Sequence, residues 1–319
     1  PMHYKNFTLI FNGEIYNYVE LKKELEVKGH LFVNHSDSEV ILHAFEEWGK
    51  DCVQRFVGMW AFVIWDKTKK SLFASRDRFG IKPFNYIHQA GKFYFASEIK
   101  TLKVSPLFSG EVNVKQVARG LQMGWLGYFD ETYFEKIKAL PAAHNLSLDS
   151  NGLRIERYWD IQTGKYSTLT FQEKCDELYR LFSDSIRIHM RSDVPVGSCL
   201  SGGLDSSAIV SMVQEQNPGK NYKSFSIYYE GEGDVDERLF IREVIKKYPA
   251  IEPHYYSPTD KDVEQHFHKA LYHSDVPSTG SSFISQYFLM KLISEHGIKV
   301  VIDGQGSDEF LGGYMHSFY

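Results

Sequence analysis

The sequence has few cysteines, no long apolar run, no excess of positive charge and no Walker-type phosphate loop, and each absence narrows the field. Its three cysteines, Cys52, Cys175 and Cys199, form no Cys-x-x-Cys pair, which argues for a reducing, cytoplasmic setting. No stretch is long and apolar enough to span a membrane, so the sequons at Asn6, Asn34 and Asn145 read as chance matches. A net charge of −5 argues against nucleic acid as a partner. The densest basic cluster, Lys67, Lys69 and Lys70, reads as a solvated hairpin turn. No Gly-x-x-x-x-Gly-Lys-Ser/Thr occurs anywhere. What is present suits an enzyme: 319 residues, 43% hydrophobic and 24% charged, enough for two cores and about two domains.

The most informative stretch is Asp193-Val194-Pro195-Val196-Gly197-Ser198-Cys199-Leu200-Ser201-Gly202-Gly203-Leu204-Asp205-Ser206-Ser207. A short apolar strand passes through two adjacent glycines and enters a helix. The glycines let backbone approach a ligand closely, and the helix start offers free N–H groups to an anion. Ser201, Ser206 and Ser207 add hydroxyls, and Asp205 adds a carboxylate suited to Mg²⁺ beside a phosphate. A second loop, Asp303-Gly304-Gln305-Gly306-Ser307-Asp308-Glu309, comes after the apolar run Lys299–Ile302. Such loops, at the carboxyl ends of parallel strands, are where α/β sheets bind ligands. Asp308 joining Asp205 on one ion is the expected metal site.

Upstream, Phe7–Phe11 reads as a buried strand. It leads into Asn12-Gly13-Glu14-Ile15-Tyr16-Asn17, in which Asn-Gly is a turn signal on its own. Asn17–Lys28 has helical spacing and stops at Gly29. Ser36 or Asp37 caps the next helix, of which Val40, Ile41, Leu42, Phe45 and Trp48 form the stripe. Short apolar runs at Met59–Trp65, Ser71–Ser75, Phe84–His88 and Lys92–Ala96 read as strands. The charges of Arg76-Asp77-Arg78 between them pair with one another if the loop is only a loop. Gly164 marks a linker, and Thr170-Phe171-Gln172-Glu173 is a capping box for a helix to about Arg191. Beyond it the pattern alternates: a strand at Lys223–Tyr229, helices at Glu237–Lys247, Val263–Tyr272 and Phe283–Ser294, then the strand at Lys299–Ile302. That alternation indicates a parallel sheet covered on both faces. His266, His268 and His273 lack zinc spacing and read as helix surface and loop.

Ser-Gly-Gly-Leu-Asp-Ser after an apolar strand resembles the pyrophosphate loop of the ATP pyrophosphatases, and the preceding Asp-Val-Pro-Val-Gly is similar to the version in glutamine-dependent asparagine synthetases. Phe-Asn-Gly-Glu-Ile-Tyr-Asn resembles the glutamine-site loop of class II amidotransferases. Arg76–Pro83, Phe95–Lys100, Ile137–Pro141 and Arg157–Asp160 fit the same half in the family's order. The resemblance covers nearly the whole chain. It implies an α+β Ntn-type glutaminase domain over 1–163, then an α/β doubly wound parallel-sheet ATP-pyrophosphatase domain over 164–319, both incomplete. Asn12 and Gly13 would form the oxyanion hole, with Glu14 and Asp37 holding glutamine; capping alone also explains Asp37. Leu200, Ser201, Gly202, Gly203, Asp205, Ser206, Ile227, Asp303 and Gly304 would bind ATP, and Asp205 and Asp308 would bind Mg²⁺. Asp303 and Gln305 would serve adenylation.

The implied activity joins glutamine-derived ammonia to the side-chain carboxylate of aspartate at the expense of ATP, releasing AMP and pyrophosphate. Implied partners are therefore small molecules, with no nucleic acid and no membrane, and a homodimer is the candidate assembly. Two alternatives stay open: a ligase of the same build acting on another acid, and a non-catalytic relative. Two departures stand out. The chain starts at Pro1 and ends at Tyr319 as though cut from a longer protein, and without a leading cysteine it is expected to hydrolyse no glutamine; Cys52 is expected to be buried. Where the family commonly reads Ser-Gly-Glu-Gly, this chain reads Asp303-Gly304-Gln305-Gly306. Either Asp303 supplies the displaced charge or the substrate differs.

Overall fold

The computed structural model describes residues 1–230, 237–277 and 280–314. They divide into two compact units, Pro1–Lys165 with Asp275–Thr279, and Tyr166–Ser274 with Gly280–Tyr319.

The first unit begins with β1 (Met2–Tyr4) and β2 (Phe7–Ile15), then α1 (Tyr18–Val27) and α2 (Asp37–Trp48). A 3₁₀ turn over Gly49–Gln54 leads into β3 (Gly58–Asp66), β4 (Ser71–Arg76), β5 (Asn85–Gln89) and β6 (Lys92–Ala96). Next come two short helices, α3 (Ile99–Leu102) and α4 (Val114–Met123), then β7 (Lys138–Ala139), β8 (His144–Asp149) and β9 (Gly152–Arg157). Six strands form an antiparallel sheet in the order β1-β2-β3-β4-β8-β9, and three form a second in the order β6-β5-β7. Period-2 alternation along β3 decides the layering. Trp60, Phe62 and Ile64 face one way, into a core with Leu21 and Leu25 of α1 and Val40, Ile41 and Ala44 of α2. Ala61 and Val63 face the other way and pack with Leu72, Leu146 and the Phe84 and Tyr86 side chains at the second sheet.

Two expectations change here. Phe7–Phe11 is not buried throughout, because Ile10 is exposed and Leu9 buried, as a one-faced strand requires. Nor does the strand end at Asn12-Gly13: β2 runs on to Ile15, paired with β3 down to Ile15↔Gly58. A Cβ on Gly13 would lie 2.1 Å from the Met59 carbonyl oxygen, and one on Gly58 would lie 2.1 Å from that of Glu14. The glycines let two strands close up, where local sequence alone reads a turn.

The second unit contains α5 (Phe171–His189), β10 (Val196–Cys199), α6 (Leu204–Gln216), β11 (Tyr222–Ile227) and α7 (Arg238–Lys247). β12 (Ile251–Tyr256), α8 (Asp260–Ser274), α9 (Ser282–Glu295), β13 (Val300–Ile302) and α10 (Ser307–Leu311) complete it. The capping box at Thr170 and Glu173 forms as expected. All strand pairs in this unit are parallel, in the order β12-β11-β10-β13. α5 and α6 pack on one face through Ile186, Ile209, Met212, Val213, Tyr222 and Ile302. α9 packs through a separate cluster of Leu292 and Ile293 with Cys199, Phe225 and Val301. Neighbouring strand residues Val301 and Ile302 thus serve opposite faces. β12 has no counterpart among the strands expected from sequence, and it contains Pro253, a residue unfavourable inside a sheet. As the edge strand, it accommodates the proline. His266, His268 and His273 all lie on α8.

Candidate active sites

In the first unit Gly13 and Asp37 meet at one edge of β2, and Asn12 and Glu14 flank Gly13 along the strand. Trp60 turns both backbone groups towards Asp77: its N–H donates to Asp77 Oδ2 at 3.2 Å, and its carbonyl accepts from the Asp77 N–H at 2.9 Å. Gly13 faces Trp60 across the ladder, so this pair exchanges no ladder bonds and the Gly13 N–H points away from β3. β1 covers that edge of β2 only from Phe7 to Leu9. Two residues on, the Ile15 N–H points the same way and donates to Asp37 Oδ2 at 3.0 Å. The side-chain cap of α2 is Ser36, which accepts from the Ser38 N–H, so Asp37 is left to bind the strand edge. Asn12 donates one Nδ2 hydrogen to Ser97 Oγ at 3.1 Å. Burial pushes the Glu14 carboxyl above its ordinary pKa, the Asp37 charge pushes it further, and Lys82 opposes both. Like charges that act on one another in this way make the site favourable to a cation.

The Arg76–Pro83 loop does not pair its charges with one another. The Arg76 guanidinium donates to the carbonyls of Lys82, Leu140 and Gly80 at 2.8, 2.6 and 2.7 Å. Asp77, 1% exposed, accepts from the N–H groups of Phe79, Ile81 and Lys82. Arg78 donates to the carbonyl of Phe56 at 2.6 Å. The charged side chains therefore stand in for missing secondary structure, satisfying loop backbone that would otherwise be buried unpaired. Cys52 is fully buried, and burial raises its thiol pKa, so it is an inert core residue.

In the second unit a cavity of about 660 Å³ opens at the carboxyl ends of β10, β11 and β13. Leu200, Ser201, Gly203, Asp205 and Ser206 line it from the glycine loop, Ile227 from β11, and Asp303, Gly304, Gln305 and Asp308 from the acidic loop. The loops interlock: a Cβ on Gly304 would sit 3.3 Å from both Asp205 Cβ and the Ser206 nitrogen. Gly202 is not part of the lining. Its φ of +88° and the 2.8 Å that would separate a Cβ from the Glu237 carbonyl oxygen make it a turn residue. The hydroxyls of Ser201 and Ser206 meet at 3.0 Å, and Ser201 Oγ accepts from the Gly203 N–H at 3.3 Å. These serines therefore brace the loop. The N-terminus of α6 carries no side-chain cap, leaving its first turn facing the cavity.

The glutamine amidotransferase domain family matches residues 1–159, and the asparagine synthase family matches residues 177–319. The chain belongs to the asparagine synthetase family. It is 36% identical over 310 residues to a provisionally named glutamine-hydrolysing asparagine synthetase 2 of Methanocaldococcus jannaschii, covering 96% of this chain and 59% of that protein. Glutamine-hydrolysing asparagine synthetase 3 of Bacillus subtilis is 34% identical over 321 residues, 97% of this chain and 52% of that protein. The corresponding synthetase 1 of Bacillus subtilis is 34% identical over 331 residues, 98% of this chain and 49% of that protein. The chain thus spans about half the length of the curated relatives it matches. Among solved structures, a Bacillus subtilis glutamine phosphoribosylpyrophosphate amidotransferase aligns over 93% of this chain and 70% of that one, at 14% identity and a TM-score of 0.37.

Ser282, Ser285, Gln286 and Leu289 of α9 also line the cavity, and the sequence analysis does not single them out. The helix is legible there, but the face it turns to the cavity is set by its packing on β11 and β12. A serine-rich first turn was the available cue.

Proposed function

We propose that the whole protein is an ATP-dependent amide ligase of the asparagine synthase type. The second unit adenylates the side-chain carboxylate of aspartate. The first binds glutamine, whose hydrolysis supplies the ammonia that attacks the acyl-adenylate. The carrying observation is the cavity in the second unit, where two glycine-containing loops about a hundred residues apart in sequence meet beside an uncapped helix N-terminus. Such a site supplies positioning and charge stabilisation, the main requirements for transfer at phosphorus.

Leu200, Ser201, Gly203, Asp205, Ser206, Ile227, Asp303 and Gly304 are the proposed ATP contacts, with Gly202 shaping the turn. Asp205 and Asp308 line one cavity and offer the hard carboxylate oxygens that Mg²⁺ prefers. They are its proposed ligands, and the ion would neutralise charge on the departing pyrophosphate. Asp303 is proposed to carry the negative charge that Gln305 lacks, with Gln305 retaining the hydrogen bonds. In the first unit the outward Gly13 N–H and the second Nδ2 hydrogen of Asn12 are the proposed oxyanion donors. Glu14 and Asp37 together suit the α-ammonium of glutamine. An Ntn-type class for the first unit, a division near residue 163, a cytoplasmic location and a homodimer belong to the same reading. Among the described residues no helix is long and apolar enough to cross a membrane.

Supplying the full-length protein with ATP, Mg²⁺, glutamine and a panel of acids tests the reading. Asparagine, AMP and pyrophosphate in equal amounts are expected with aspartate. ADP as product would contradict adenylation, and turnover only with another acid would favour the ligase of changed substrate, for which the Asp303/Gln305 departure is the motive.

A further inference from the structure

Cys199 is the last residue of β10, placed where the sheet hands its backbone to the phosphate loop. β10 and β13 run parallel with Ser198 opposite Ile302, so the next rung sets Cys199 beside Asp303. Both line the cavity. Cys199 is only 7% exposed and is wedged among Phe225, Leu292 and Ile298, which leaves its side chain little freedom to turn away. Burial raises the thiol pKa well above its ordinary value, and the Asp303 carboxylate raises it further, by its charge and as a hydrogen-bond acceptor. At neutral pH the group is therefore an S–H donor. A thiol is a weak, uncharged donor. It can fix the direction of a carboxylate without neutralising it, as a lysine or arginine would.

We propose that Cys199 is a positioning residue for adenylation, its S–H holding the Asp303 carboxylate in the direction from which it meets the ligand in the cavity. This rests on the function proposed above, in which Asp303 replaces the missing acid at Gln305. The register and the shared cavity place the thiol beside the carboxylate that, in this reading, carries the displaced charge.

The test compares Cys199→Ser and Cys199→Ala in the full-length protein. Aspartate-dependent ATP–pyrophosphate exchange in Cys199→Ala should fall about tenfold in kcat with the KM for ATP within about twofold, the scale of one hydrogen bond to a charged group. Cys199→Ser keeps a donor and should stay within about threefold of the wild type. A packing role predicts the opposite order, because a hydroxyl buried among apolar groups is worse tolerated than a methyl. A second arm reads the contact without turnover: in Asp303→Asn, alkylation mapped at Cys199 should be faster across pH 7–9 as the thiol pKa drops. Equal exchange in wild type and Cys199→Ala, equal loss in Ser and Ala, or unchanged alkylation in Asp303→Asn would each overturn the proposal. Absence of exchange in the wild type itself would instead overturn the proposed function, and this role with it.

Discussion

The backbone N–H of Ile15 donates to the carboxylate of Asp37 at 3.0 Å, joining the end of β2 to the first turn of α2. The bond fixes Asp37 on the strand edge to which the Gly13 N–H also points. Asp37→Ala removes the acceptor of a buried N–H and should cost about 1–3 kcal/mol. Asp37→Asn keeps an acceptor oxygen and should cost much less. Both remove the negative charge, so both should raise the KM for glutamine at least about tenfold in the full-length protein. Urea denaturation and glutaminase kinetics on the two variants separate these effects. An unchanged KM in both would leave Asp37 a purely structural residue.

Gly13→Ala should be among the most damaging single changes in the first unit. Its Cβ would have to occupy space 2.1 Å from the Met59 carbonyl oxygen and 2.8 Å from Trp60 Cα, both backbone atoms that cannot turn aside. A loss of about 3 kcal/mol or more is expected from the strand displacement. A denaturation midpoint matching the wild type would show that β2 and β3 approach less closely than described.

How far the sequence could be read depended on whether a signal was local. The capping box at Thr170–Glu173 and the glycine loop at 201–203 are local, and both were legible. Asn12-Gly13 misled because its local preference is a turn, while pairing with β3 across some fifty residues keeps it in a strand. β12 was not anticipated; it holds Pro253, whose effect depends on edge or interior position, and sequence does not give that position. Likewise a mere loop would pair the charges of Arg76 and Asp77 with one another, yet each satisfies backbone instead. The α9 residues of the cavity were invisible because a helix with apolar residues on several sides does not declare which side meets a ligand.

The first unit should lose stability in mild acid. His43 is fully buried between Tyr4 and Phe32, with ring centroids at 4.1 and 4.2 Å. Burial and the neighbouring His30 hold its pKa below the ordinary 6.5, while Glu39 and Glu46 oppose them. The unfolded chain therefore binds a proton more readily than the folded one. This contribution is fully present above pH 6.5 and is lost as pH falls through the lower folded value. Thermal melts from pH 8 to pH 5 should show the decline, and His43→Phe should flatten it. The same slope in both proteins would assign the decline to other groups.

Asp303 and Gln305 should be energetically coupled. Asp303→Ser in the full-length protein should cut ATP–pyrophosphate exchange about a hundredfold, and adding Gln305→Glu should recover most of that loss, a coupling of about 1–3 kcal/mol. If Asp303→Ser exchanges normally, the charge has not moved to position 303 and a changed acid substrate becomes the better explanation.

Whether the cavity beneath the two glycine loops is an adenylating site is measured most directly by aspartate-dependent ATP–pyrophosphate exchange. In the full-length protein exchange should require both aspartate and Mg²⁺. It should fall at least about a hundredfold in Asp205→Asn, the loss expected for a ligand of the catalytic ion, with little change in melting temperature. Exchange undiminished in Asp205→Asn, or none in the wild type with any acid, would contradict an adenylating role for this cavity.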